Sequence, residues 1–244
     1  MKYSISGDNL QIANIELKKD EAINAEAGAL IYKSGNVTID VESKGATKAI
    51  KRLLTGESLF LTKFTSIEGH GIVGVAGKLP GKIKPFELKA NKSIIAQKGS
   101  YLASDMEVDM DLTVTKKLGA GLFGGEGFLL QKLTGPGTLL LHAAGDLIEY
   151  NLDKGQRLDI DTSHLVAFEE TVDYDIRRVG SIKSTVFGSE GLFLAQMTGP
   201  GKVILQSMTK AILRPPTQHH GKQSGGIMGS MLGGLRTWKH SLVT

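Results

Sequence analysis

The sequence contains no cysteine. That excludes disulfide frameworks, cysteine zinc sites, iron–sulfur clusters and a cysteine nucleophile. Proline is scarce, 6 of 244 residues, so the composition is neither collagen-like nor that of a Pro-rich linker. No stretch approaches the ~20 apolar residues of a membrane helix. The opening, MKYSISGDNLQIANIEL, holds no apolar core of signal-peptide length. We therefore expect a cytoplasmic protein with no transmembrane segment. No one sign of charge dominates. Lys and Arg number 29 against 25 acidic residues, a net charge of +4, too mild to imply a nucleic-acid partner alone. Glycine is abundant: 31 residues, about 13% against a usual ~7%.

The chain repeats itself. GESLFLTKFT (56–65), GEGFLLQKLT (125–134) and SEGLFLAQMT (189–198) match, placing Glu57, Glu126 and Glu190 at spacings of 69 and 64 residues. A second block precedes each: IELKKDEAINAEAGALIY (15–32), FELKANKSIIAQKGSYLA (86–103) and YNLDKGQRLDIDTSHLVA (150–167). Their leading residues Leu17, Leu88 and Leu152 are 71 and 64 apart. Two independent markers giving nearly one period define three tandem units, about 1–80, 81–145 and 146–213.

Each unit reads as β. Apolar runs flank Thr134-Gly135-Pro136-Gly137 and Thr198-Gly199-Pro200-Gly201. Pro presets φ at a turn and Gly accepts positive φ after it, so these segments are expected to be hairpin turns. Ser66–Gly71 is a longer loop at the same place. The runs are apolar on both alternating faces, as in strands covered on two sides. Helix is expected only at 46–54, where Ala46, Ala49, Ile50, Leu53 and Leu54 have helical spacing. Residues 214–244 form a Gly-rich tail: Pro215-Pro216 ends the third unit, and a small, apolar segment follows. The tail is expected to be flexible and to offer a site for a protein partner.

The three β units, the paired T-G-P-G blocks, the E-G-[LF]-[FL]-L runs and the Gly-rich tail resemble the AIM-twenty-four (mitochondrial biogenesis) family over about residues 1–213. The resemblance implies a fold similar to the tryptophan RNA-binding attenuation protein, a TRAP-like, double-stranded β-helix type of architecture repeated within one chain. It carries over no catalytic residues, and no match to that protein's RNA-contacting residues is present.

Other chemistry has a plainer reading. Gly119–Gly124 and Gly69–Gly74 both spell G-x-G-x-x-G, but a dinucleotide site needs that motif between a strand and a helix, and here we read turns. His70 and His142 stand on different units without an H-x-H pair, so no metal or cofactor site is assigned. Glu57, Glu126 and Glu190 would converge if the units surround a pseudo-threefold axis; paired on a strand face with Lys63 or Lys132 they are surface groups. Lys44, Lys48, Lys51 and Arg52, then Lys116 and Lys117, then Arg177, Arg178 and Lys183 occupy equivalent connecting segments. They form a candidate anion-binding rim, without the interleaved aromatics of a single-strand binder. The expectation is an all-β protein of three homologous units in one pseudo-threefold body. Its role reads as a non-enzymatic scaffold or binding protein that forms a homo-oligomer. The alternatives are a small-ligand binder or enzyme with a pocket between repeats, and a polyanion binder acting through the basic rim.

Overall fold

The computed structural model describes residues 1–42, 61–113, 129–179 and 192–209. The chain divides into two units, Met1–Leu213 and Arg214–Thr244, and the second lies outside the described residues. So do the expected helix at 46–54 and the motif at 119–124.

Strand β1 is Lys2–Ser6. The first repeat follows with β2 (Ile12–Leu17), β3 (Ala22–Glu26), β4 (Leu30–Lys33), β5 (Val37–Glu42), β6 (Leu61–Ser66) and β7 (Gly71–Ala76). The second has β8 (Gly81–Leu88), β9 (Ser93–Gln97), β10 (Tyr101–Asp105), β11 (Asp109–Thr113), β12 (Leu130–Thr134) and β13 (Gly137–Ala144). The third has β14 (Leu147–Leu152), β15 (Arg157–Asp161), β16 (Leu165–Glu169), β17 (Asp173–Val179), β18 (Leu192–Thr198) and β19 (Gly201–Gln206). Leu17, Leu88 and Leu152 each end the first strand of a repeat. Single 3-10 turns at Lys98–Ser100 and Thr162–His164 precede β10 and β16.

Every repeat pairs its strands the same way, all antiparallel. The first strand joins the sixth, the second the fifth, the third the sixth and the fourth the fifth. Each repeat thereby becomes two half-sheets facing one another. Neighbouring repeats fuse half-sheets: β3 pairs β10, and β9 pairs β16. Among the described residues four sheets result, in the orders β1-β2-β7-β4, β5-β6-β3-β10-β13-β8, β11-β12-β9-β16-β19-β14 and β15-β18-β17.

Three apolar cores separate the four sheets, and strand alternation assigns side chains to them. Along β13, Leu140 enters the first core while Leu139, Leu141 and Ala143 enter the second. Along β9, Ile94 and Ala96 enter the second and Ile95 the third. The central sheets are thus buried on both faces, which explains their continuous apolar runs. Burying each such Leu or Ile stabilises the fold by about 1.5–3 kcal/mol.

The T-G-P-G segments differ from the expected hairpins. Strand β12 already lies between β11 and β9, and β13 between β10 and β8, so neither has a free edge for the other. The block instead carries the chain from one sheet to the next, with cis bonds before Pro136 and Pro200 and positive φ at Gly137 and Gly201. Backbone crowding demands glycine here: a Cβ on Gly199 would lie 2.3 Å from the Asp153 carbonyl oxygen, and one on Gly135 2.6 Å from that of Lys89.

Candidate functional site

A body closed about a threefold axis would have three junctions between repeats; two are formed by strand pairing. In the first, Ala25 faces Ala103 and Asn24 faces Ser104. In the second, Ala96 faces Ala167 and Ile95 faces Phe168. The corresponding strands for a third junction are β15 and β4. Each ends a sheet with one edge that no described strand pairs.

The side chains at these edges differ from those at the formed junctions. A bulge in each third strand turns two successive residues to the same face. In β10 these are Leu102 and Ala103, in β16 Val166 and Ala167, all 0–1% exposed. Their counterparts in β4 are Ile31 and Tyr32, 57% and 45% exposed. On β15, Asp159 is open to solvent where Asn24 and Ile95 are buried. Asp159 accepts two hydrogen bonds from the Arg177 guanidinium, at 2.8 and 2.9 Å, and one from Gln196 Nε2 at 3.1 Å.

Sequence reasoning passed over Ile31, Tyr32, Lys33 and Asp159. The available signal was the alignment of LIYK with YLAS and LVAF, which sets Tyr against two alanines. Of the expected rim, Arg177 is engaged by Asp159 and Arg178 is described in its backbone alone. Lys48, Lys51, Arg52, Lys116, Lys117 and Lys183 lie outside the described residues, as do Glu57, Glu126 and Glu190. The first two ladders end at equivalent register, Glu42 facing Leu61 and Thr113 facing Leu130; the third continues past Arg177–Leu194 to Val179–Leu192, so Arg177 and Arg178 lie within β17 and not in the connecting segment expected for them. Lys132 reaches Glu170 of the third repeat, which holds that carboxyl below the usual range.

Two other places carry polar groups. A concavity of about 400 Å³ is lined by Met1, Asp20, Glu21, Lys63, Asp105 and Glu107 among others. Both Asp105 oxygens are committed there, one to the Met1 amine at 2.9 Å and one to the Thr138 amide at 2.7 Å. His142 is buried in β13 against Gly77 and Gly81, and burial lowers its pKa below the ordinary imidazole value. His164 Nδ1 lies 2.7 Å from the Gln206 carbonyl oxygen. Among the described residues no three His, Asp or Glu side chains gather as metal ligands, and no helix is long and apolar enough to cross a membrane.

The family described as Mitochondrial biogenesis AIM24 matches residues 3–208. The chain belongs to the AIM24 family. This AIM24 protein is similar to an uncharacterised protein of Streptococcus pyogenes serotype M6, 29% identical over 218 residues, covering 85% of this chain and 86% of the relative. An X-ray crystal structure of a Streptococcus pyogenes protein superposes with a TM-score of 0.72 at 25% identity, covering 87% of this chain and 95% of that one. Neither name assigns an activity, so the reading of this AIM24 protein rests on its own geometry.

Proposed function

We propose that this AIM24 protein is a non-enzymatic scaffold or binding protein that self-associates. The observation that supports the reading is that β4 and β15, at the ends of a repeating pairing scheme, each have one edge that no described strand pairs. An unpaired edge presents a row of amide and carbonyl groups that template another strand, and Ile31 adds apolar surface beside it. Multi-angle light scattering across a wide concentration range tests the reading. A mass rising above that of one chain supports it; a single-chain mass at every concentration overturns it.

A second reading, polyanion binding, is supported by the equivalent register from which the first two Lys- and Arg-bearing connections leave their strands, and by Arg177 at that same register in β17. Affinity for duplex DNA or anionic vesicles would then fall steeply with salt. Neutralising Lys51, Arg52, Lys116, Lys117, Arg177 and Arg178 together would abolish it, and unchanged binding by that variant counts against a basic rim.

A further inference from the structure

We propose that β15 of one copy of this chain pairs antiparallel with β4 of a second copy, so that copies join head to tail by repeating the junction that already joins the repeats. The inference rests on the self-association reading and specifies its interface.

The two formed junctions give the register. Ala25–Ala103 and Ala96–Ala167 are opposite pairs in successive repeats. Carried forward one repeat, the rule places Ile160 opposite Tyr32, Asp159 opposite Lys33 and Leu158 opposite Ser34.

Charge and volume both fit that register. Lys33 opposite Asp159 is an attractive pair; like charges there would repel. Tyr32 opposite Ile160 sets an aromatic residue against a β-branched one, a favourable cross-strand pair. Volume is conserved across the ladder that backs the junction. Ala103 pairs with Leu140 and Ala167 with Ile204, a small residue beside a large one. Tyr32 pairs with Gly74, the same sum in reversed order. The residue that the formed junctions bury, Leu102 or Val166, is Ile31 on the free edge, still apolar and exposed. On β4 the two successive residues turned outward, Ile31 and Tyr32, are uncharged, while the charges that could blunt these edges, Lys33 on β4 and Asp159 on β15, are of opposite sign.

Because the two edges differ, the contact is heterologous, and each added copy presents a fresh β4 or β15. The product is a ring or an open series. Among the described strands the other occupant of β4 is the chain's own β15, and the experiment separates the two.

The absence of native cysteine makes disulfide trapping clean. Directly opposed residues bring their Cβ atoms to about 4.5–5.5 Å, within small adjustment of disulfide geometry. Lys33→Cys and Asp159→Cys are made in separate chains, mixed and oxidised. The expected result is a covalent dimer from the mixture and far less from either variant alone. The double variant K33C/D159C should give a ladder of covalent oligomers. A double variant that closes only on itself as a monomer overturns the proposal, and so does a mixture that yields no dimer. Where the unmodified protein associates by light scattering but the mixture fails to cross-link, this register is wrong and self-association stands. Where the unmodified protein stays monomeric, both fail. A second measurement uses charge: Lys33→Asp and Asp159→Lys should each weaken association by roughly tenfold or more, with association regained on mixing the two. Singles that associate as the unmodified protein does overturn the proposal.

Discussion

The Tyr32 ring lies across Gly74, its partner in the β4–β7 ladder, where a Cβ on residue 74 would fall 2.5 Å from ring carbons. The Tyr32 hydroxyl reaches across β7 and donates to Asn14 Oδ1 on β2, which fixes the ring over that space. In the other repeats the space holds Leu140 or Ile204, with alanine in place of tyrosine.

This exchange of volumes gives the first prediction. Gly74→Leu alone forces Tyr32 off its site and should destabilise the protein by about 1–3 kcal/mol, the usual cost of overpacking. Tyr32→Ala with Gly74→Leu restores the composition of the second and third repeats. Most of the loss should be recovered, giving an interaction energy of opposite sign. Urea unfolding midpoints of the two single variants and the double variant measure it.

His142 sets a pH dependence. Burial lowers its folded pKa, so the unfolded chain binds the proton more readily. Its contribution is therefore fully present above the ordinary imidazole pKa of about 6.5 and is lost as pH falls through that value. Gln206 occupies the equivalent position in the third repeat and titrates nowhere. His142→Gln should therefore flatten the fall in unfolding free energy between about pH 7.5 and 5. Denaturant unfolding of both proteins at the two pH values checks this, and parallel losses would exclude His142 as the source.

Glu149 stands between Lys84 of the second repeat and Lys202 of the third, at 2.5 and 2.9 Å. Hydrogen bonds from Lys84 and then Lys202 hold its carboxyl below the usual range. With a lowered folded pKa, the stabilisation exists above the unfolded carboxylate value and is lost as pH falls through the folded one. The groups are partly solvated, so Glu149→Gln should cost only about 0.5–1 kcal/mol, less in high salt. Unfolding at neutral pH in low and high salt measures it; a loss that salt leaves untouched would point to packing instead.

Parts of this architecture were legible before any coordinates. Leu17, Leu88 and Leu152, which serve in the sequence only as markers of the repeat period, each fall at the end of a strand. The continuous apolar run Leu139–Leu141 announced a strand covered on both faces. Glycine and proline at 134–137 announced a chain reversal but not its destination. Turn chemistry is local, whereas the partners of β12 and β13 are set by strands far away in sequence. For the same reason the free edge was hidden. Ile31, Leu102 and Val166 look alike as letters, and only pairing separates a buried junction from an exposed one. Asp159 shows the limit from the other side. Its carboxylate reads as ordinary surface charge until the register places Lys33 opposite.

In the proposed assembly β4 and β15 are the two halves of one junction, completed between copies. Hydrogen–deuterium exchange of peptides covering 30–33 and 157–161, followed by mass spectrometry as concentration is raised, tests it most directly. Both peptides should slow together, toward the exchange of Tyr101–Asp105 and Ser93–Gln97 in the formed junctions. Association that leaves both peptides exchanging fast would contradict it.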